Sequence, residues 1–199
     1  MPEYNSALDA CLVPGDFGVL NASQPALLLS ERPLGNLLQI AGWEDLETLC
    51  RPVVKKYGFK KFGDYRTVQG TSSTECFAVA PDKILVRHKD DDAFDALNSS
   101  IDHENLSLLD LSHARSVISI AGQACEALMV RLAGVDFSLI AFPVGSFVQT
   151  GIHHVGILIK RNQPNGFEIF VPYTWAASIW DYLCSCALSF GYRVAGEQI

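Results

Sequence analysis

Between Phe137 and Ile159 the chain carries no Asp, Glu, Lys or Arg. No other stretch restricts the fold as much, because a charge-free run of this length is either a membrane span or deep core. Its punctuation decides between the two. Pro143, Gly145, Gln149, Gly151, His153 and His154 interrupt the run, and the apolar residues between them recur with the spacing of strands. The stretch is therefore expected to be a loop followed by buried strands over 146–151 and 155–160. A third strand, over 167–171, follows a hairpin loop over 161–166 that contains Pro164-Asn165-Gly166.

The remaining composition points the same way. Of 199 residues, 49% are hydrophobic and 19% charged, against roughly 25% charged in an ordinary soluble domain. Such a chain is expected to leave apolar surface exposed for a partner. The formal charge of −7 argues against nucleic acid, which needs a basic face. Met1-Pro2-Glu3-Tyr4 has neither the basic start nor the apolar run of a signal peptide, so a cytoplasmic location is expected. Cys11, Cys50, Cys76, Cys125, Cys184 and Cys186 form no CxxC pair. Cys184 and Cys186 lie about 200° apart around a helix. All six read as small buried thiols of a reducing compartment.

In chain order, residues 1–30 form a weakly patterned extension with a turn at Pro14-Gly15-Asp16-Phe17-Gly18. A strand is expected over 37–41. The helix after it carries Trp43, Leu46, Cys50, Val53 and Tyr57 on one face, acids Glu44, Asp45 and Glu47 in its first turn, and Pro52 as a kink or break. Lys55, Lys56, Lys60 and Lys61 form a basic cluster at its end. Strands follow over 67–69, 76–80 and 84–87, then a short helix over 92–98 capped by Asp90, Asp91 and Asp92. Strands over 106–111 and 117–121 precede a helix that ends at Ala133 with Ala124, Leu128 and Leu132 inward. The last helix, over 175–190, has Thr174 as its N-cap and Gly191 just past its end. Its polar stripe is narrow, so burial on more than one side is expected, by the other half of the chain or by another subunit.

The pattern predicts an α+β protein of two related sheet-and-helix modules of β-α-β-β-α type, over about 34–105 and 106–194, within a domain spanning 31–199. Phe77-Ala78-Val79-Ala80-Pro81 and Ile169-Phe170-Val171-Pro172 look like matching strand ends of the two modules.

Reactive constellations are missing from the sequence pattern. There is no GxGxxG after a strand and no GxxxxGK[ST]. Asp110, Ser112 and His113 are triad residue types, but they are nearly adjacent in the chain and cannot readily take up triad geometry. His153 and His154 are expected on opposite faces of a strand start, and His103 sits between Asp102 and Glu104 in a loop. No residue is assigned a catalytic, cofactor-binding or metal-binding role.

Several segments resemble the gamma subunit of heterotetrameric sarcosine oxidase. They are Asp110-Leu111-Ser112-His113 with a following strand and Gly122, Phe142-Pro143-x-Gly145 with Gln149-Thr150, and Val171-Pro172-x-x-x-Ala176 with Trp180 and Leu183. Gly42-Trp43 and Ala80-Pro81-Asp82 before Ile84-Leu85-Val86 extend the likeness over residues 34–194. Residues 1–30 fall outside it, and Arg131-Leu132-Ala133-Gly134 stands where the family often has a Lys-Gly-Cys-like segment. The resemblance implies a fold like the folate-binding domain of glycine-cleavage aminomethyltransferase. It also implies a non-catalytic subunit of a complex that oxidatively demethylates sarcosine, or a related N-methyl amino acid as in N-methylglutamate dehydrogenase, and passes the one-carbon unit to tetrahydrofolate. The partners would be alpha, beta and delta subunits holding FAD, FMN, NAD and zinc, with no cofactor in this chain. Phe142, Phe147, Thr150 and Trp180 are the expected subunit contacts. A stand-alone folate-binding or aminomethyltransferase-like protein is the alternative, with Asp110 or Asp136 holding the pterin.

Overall fold

The computed structural model describes residues 6–19, 25–43, 45–88 and 93–195, with Ala93 and Phe94 described in backbone only. The elements in chain order begin with β1 (Gly15–Phe17), β2 (Leu27–Arg32), β3 (Asn36–Gly42), α1 (Leu46–Val54), β4 (Gln69–Gly70), β5 (Thr74–Ala80), β6 (Lys83–His88), α2 (Ala93–Asn98) and β7 (Leu106–Asp110). They continue with β8 (Arg115–Ala121), α3 (Cys125–Leu132), β9 (Phe147–Ile152), β10 (Val155–Gln163), β11 (Gly166–Pro172), α4 (Ala176–Ala187) and β12 (Tyr192–Val194). The chain divides into two compact units. The first is Met1–Pro33 with Arg115–Ile199 and the second is Leu34–Ala114.

The second unit is one antiparallel sheet in the order β4-β5-β6-β3-β7 with two helices. Helix α1 starts where the Asp45 carboxylate accepts the Thr48 N–H at 3.2 Å, which satisfies one of the orphan donors of the first turn. Leu46, Cys50, Val53 and Val54 are its buried residues, at the spacing of one helical face. Trp43 precedes the cap and is 84% exposed, so it is not part of that face. Pro52 lies inside the helix without splitting it. Only the hydrogen bond one turn back is lost, and the helix tightens into a 3₁₀ turn over Lys55–Tyr57. The turn closes on Gly58, where φ is 82° and a Cβ would stand 2.5 Å from the Gly70 carbonyl oxygen. Glu44 and the expected caps Asp90, Asp91 and Asp92 lie outside the described residues.

The first unit is a sheet in the order β1-β12-β2-β8-β11-β10-β9. All its neighbours are antiparallel except β12 and β2. Helices α3 and α4 share one core with the inward residues Leu29, Ile118, Ile120, Ile159, Phe167 and Ile169. Helix α4 buries Ala176, Ile179, Trp180, Leu183 and Ala187. That is a single face: Trp175 and Leu188 are about half exposed, at 51% and 47%, and Tyr182, Cys184 and Cys186 are partly buried. Within this chain it is an ordinary amphipathic helix. A 3₁₀ turn over Tyr173–Trp175 precedes it, so Thr174 is not its cap, whereas Gly191 follows its end with φ 72°.

The two units share one plan. The run β3-α1-β4-β5-β6-α2-β7 and the run β8-α3-β9-β10-β11-α4-β12 have the same order of elements. They also have the same lane order, with one difference: β2 stands between β8 and β12, where β3 and β7 are direct neighbours. This is the α+β, two-module fold expected from the pattern, with two strands more per module than the expected β-α-β-β-α: a third strand between the helices and a last one, β7 or β12.

Three details of the sequence reading change. Residues 15–17 and 27–32 are strands of the first sheet rather than part of an extension. Residues 106–110 pair with β3, so the division falls after Ala114 rather than after residue 105. Phe77–Ala80 lies on β5 and Ile169–Pro172 on β11, which are the third and fourth strands of the plan and not equivalents. Among the described residues no helix is long and apolar enough to cross a membrane.

Candidate functional site

The charge-free run places a connection, residues 133–146, between α3 and the edge strand β9. Local chemistry folds it tightly. The Asp136 carboxylate accepts the Ser138 N–H at 2.9 Å, and the Ser138 carbonyl accepts the Phe142 N–H at 2.8 Å. Gly145 donates to the Arg161 carbonyl at 2.9 Å, and Arg161 donates from its own N–H to the Ser146 carbonyl at 3.0 Å.

Arg161 anchors this loop. It belongs to β10 and is fully buried. Its guanidinium donates to the carbonyls of Phe137 and Pro164 and pairs with Glu126 of α3 at 3.3 Å. It also lies 4.4 Å from the centroid of the Phe167 ring. Burying a cation is tolerated only with such a set of acceptors. Phe137, Phe142 and Phe167 form a ring cluster with centroids 5.4, 5.4 and 6.3 Å apart. Both phenylalanines of the loop therefore turn inward. The residues between and after them turn out: Leu139 is 48% exposed, Ile140 96% and Val144 49%. The result is a fixed aliphatic tip with no acid, base or nucleophile. It has the chemistry of a contact surface and not of a reaction centre.

The sequence-selected contacts are placed differently. Phe142, Phe147 and Trp180 are 2%, 1% and 2% exposed, and Thr150 is half-buried. Three of the four are thus buried side chains, which corrects their assignment as contact residues. Phe142 is held in the ring cluster and Trp180 in the α4 core. Phe147 stands in register with Lys160, whose ammonium pairs with Glu168 at 3.0 Å. Apolarity alone does not tell which side of a loop faces in. The available signal was the pair Phe137 and Phe142 bracketing Leu139-Ile140.

The other candidates serve local structure. Asp110 and Asp136 are both exposed. The Ser138 N–H holds the Asp136 carboxyl below the usual carboxylate range. Asp110 accepts the Ser112 N–H at 2.8 Å, and the Ser112 hydroxyl accepts the Leu37 N–H at 3.1 Å, so these residues build the turn that leads out of β7. His153 and His154 form the loop between β9 and β10, with His153 at φ 51° and its ring 4.1 Å from that of Tyr182. Burial pushes the Cys50 and Cys76 thiols up to about 12, far from the range of reactive thiolates. Among the described residues no three His, Cys, Asp or Glu side chains are grouped to hold a metal ion.

The equivalent connection of the second unit, residues 55–68, is built around Gln69. Its Oε1 accepts the N–H groups of Lys60 and Lys61 at 2.9 and 2.8 Å, and its Nε2 donates to the Lys61 carbonyl at 2.7 Å. Lys55, Lys56, Lys60, Lys61 and Arg66 are exposed around it.

The chain matches a chain of heterotetrameric sarcosine oxidase from Corynebacterium sp. U-96, solved in complex with pyrrole 2-carboxylate. The TM-score is 0.77 at 20% identity, over 89% of this chain and 90% of that one. This is the fold of the sarcosine oxidase chain. The same fold extends to glycine cleavage system aminomethyltransferase T from Bartonella henselae, with a TM-score of 0.57 at 16% identity. That match takes in 81% of this chain and 46% of the transferase, so this chain spans about half the length of the transferase. No family model and no curated protein matches the sequence itself. The sarcosine oxidase match runs over nearly the whole of both chains.

Proposed function

We propose that this chain is the non-catalytic, gamma-type subunit of a multi-subunit flavoenzyme of the sarcosine oxidase type. Such a complex oxidatively demethylates sarcosine or a related N-methyl amino acid and passes the one-carbon unit to tetrahydrofolate. The observation that carries this reading is the near end-to-end match to one chain of a heterotetrameric sarcosine oxidase. In this reading the alpha, beta and delta partners hold FAD, FMN, NAD and zinc. The chain itself supplies shape and contact surface, in keeping with a fixed aliphatic loop and a set of turn-building polar residues.

The stand-alone folate-binding reading is weaker. A carboxylate that grips a pterin needs an enclosing wall, and Asp110 and Asp136 are both exposed. The deciding experiment is gentle purification of the tagged chain from its native host, read by mass and by absorbance near ~450 nm. A large yellow complex that turns over an N-methyl amino acid is the expected result. A colourless monomer that binds tetrahydrofolate in calorimetry would establish the alternative instead.

A further inference from the structure

The connection 133–146 is more apolar at its surface than its place in the fold requires. The second unit has a connection in the same position, 55–68, and there the exposed side chains include four lysines, an arginine and a tyrosine but no aliphatic residue. A solvated loop is therefore compatible with this plan. In 133–146, Leu139, Ile140 and Val144 stand out from the surface, with Ile140 96% exposed. The loop's own phenylalanines, Phe137 and Phe142, are instead buried in one cluster with Arg161 and Phe167. The tip is preorganised, which lowers the entropy lost when a loop binds. No cation lies between Phe137 and Ile159, so the tip lacks the basic residues that accompany insertion at an anionic lipid surface.

We infer that the 138–144 loop is an assembly element: Ile140, flanked by Leu139 and Val144, inserts into an apolar recess on a different protein chain, a partner subunit of the complex. This rests on the multi-subunit reading above and adds to it the surface through which this chain joins. An exposed aliphatic residue at the centre of a rigid patch is suited to act as a hot spot, and a carboxylate placed there would have to be desolvated on docking.

The test is tagged Ile140→Asp and Val144→Asp chains produced in the native host beside the wild type, each purified gently and measured by size and flavin absorbance. Circular dichroism and the melting temperature of each purified chain check its fold. The expected result is loss of at least tenfold in co-purified flavoprotein for Ile140→Asp, a smaller loss for Val144→Asp, and melting temperatures within a few degrees of wild type. Lys60→Glu, in the equivalent loop, should leave the yield unchanged. Full recovery of the complex with Ile140→Asp overturns this inference and leaves the subunit reading standing. If the wild-type chain carries no flavoprotein, both fall together. If the wild-type chain is a dimer that Ile140→Asp makes monomeric, the occupant is a second copy, and the inference of a different chain is overturned.

Discussion

Two connections of equal length occupy the same place in the same plan and have opposite chemistry. In the second unit, residues 55–68 link α1 to the edge strand β4. In the first, residues 133–146 link α3 to the edge strand β9. Each is pinned by a single polar side chain from a neighbouring strand: Gln69, which bonds backbone groups of Lys60 and Lys61, and Arg161, which bonds the Phe137 carbonyl. Gln69 holds a loop whose exposed side chains are mostly cationic, so water solvates what it presents. Arg161 holds one whose exposed side chains are apolar except for Asp136. The plan thus fixes where such a loop emerges and leaves its surface chemistry open, and the two units of one chain have used that freedom differently.

The comparison can be broken from the core outward. Trp180→Ala removes a buried indole from beneath α4 and should have the largest effect, about 3–5 kcal/mol of stability, measured by urea unfolding. Arg161→Met should cost about 3 kcal/mol, because the Phe137 and Pro164 carbonyls lose their donor and the Glu126 pair is broken. Its particular signature is new proteolytic cleavage within 133–146, with 55–68 unaffected. The mirror change, Gln69→Leu, should cost about 1 kcal/mol and move cleavage to 55–68. Ile140→Asp should shift stability by less than about 0.5 kcal/mol, since the side chain meets solvent.

The smallest effect concerns pH. Burial pushes the Glu31 carboxyl above the usual range, against the hydroxyl bond it accepts from Ser6. A folded state that raises a carboxyl pKa holds the proton more tightly than the unfolded chain. Its contribution is therefore full below the ordinary glutamate value and is lost as pH rises through the raised one. Glu31→Gln should remove that slope. Melting temperatures measured from pH 4 to pH 7 should converge with wild type at the acid end and exceed it at the neutral end.

The sequence made some of this fold legible and hid the rest for physical reasons. Strands β6, β8, β10 and β11 are dense in Ile, Val and Phe and bounded by turn residues, and the buried faces of α1 and α3 recur at helical spacing. Strand β2 was missed because its partners are remote: Leu29 pairs with Ile120 on one side and with Val194 on the other, and neither pairing leaves a local mark in Leu27-Leu28-Leu29. Gly15–Phe17 resembled a turn for the same reason. What makes it a strand is its antiparallel pairing with β12, across which Arg193 also bonds the Asp16 carboxylate at 2.6 and 2.9 Å. In the candidate site, the apolar run was visible but its inside and outside were not. Which phenylalanines turn inward depends on Arg161, a residue beyond the run that the hairpin brings back beneath it.

The strand that separates the units' topologies also sets an order of events. The strand pairs of the second unit lie between Asn36 and Asp110, so they are all available once that contiguous segment has left the ribosome. The first unit must wait. Leu27 is made long before its parallel partner, Tyr192. During that interval β2 offers an unpaired edge bearing three consecutive leucines, a template for mispairing. Synthesis speed and chaperone access over that interval should therefore govern the yield of this protein more than the stability of the finished sheet.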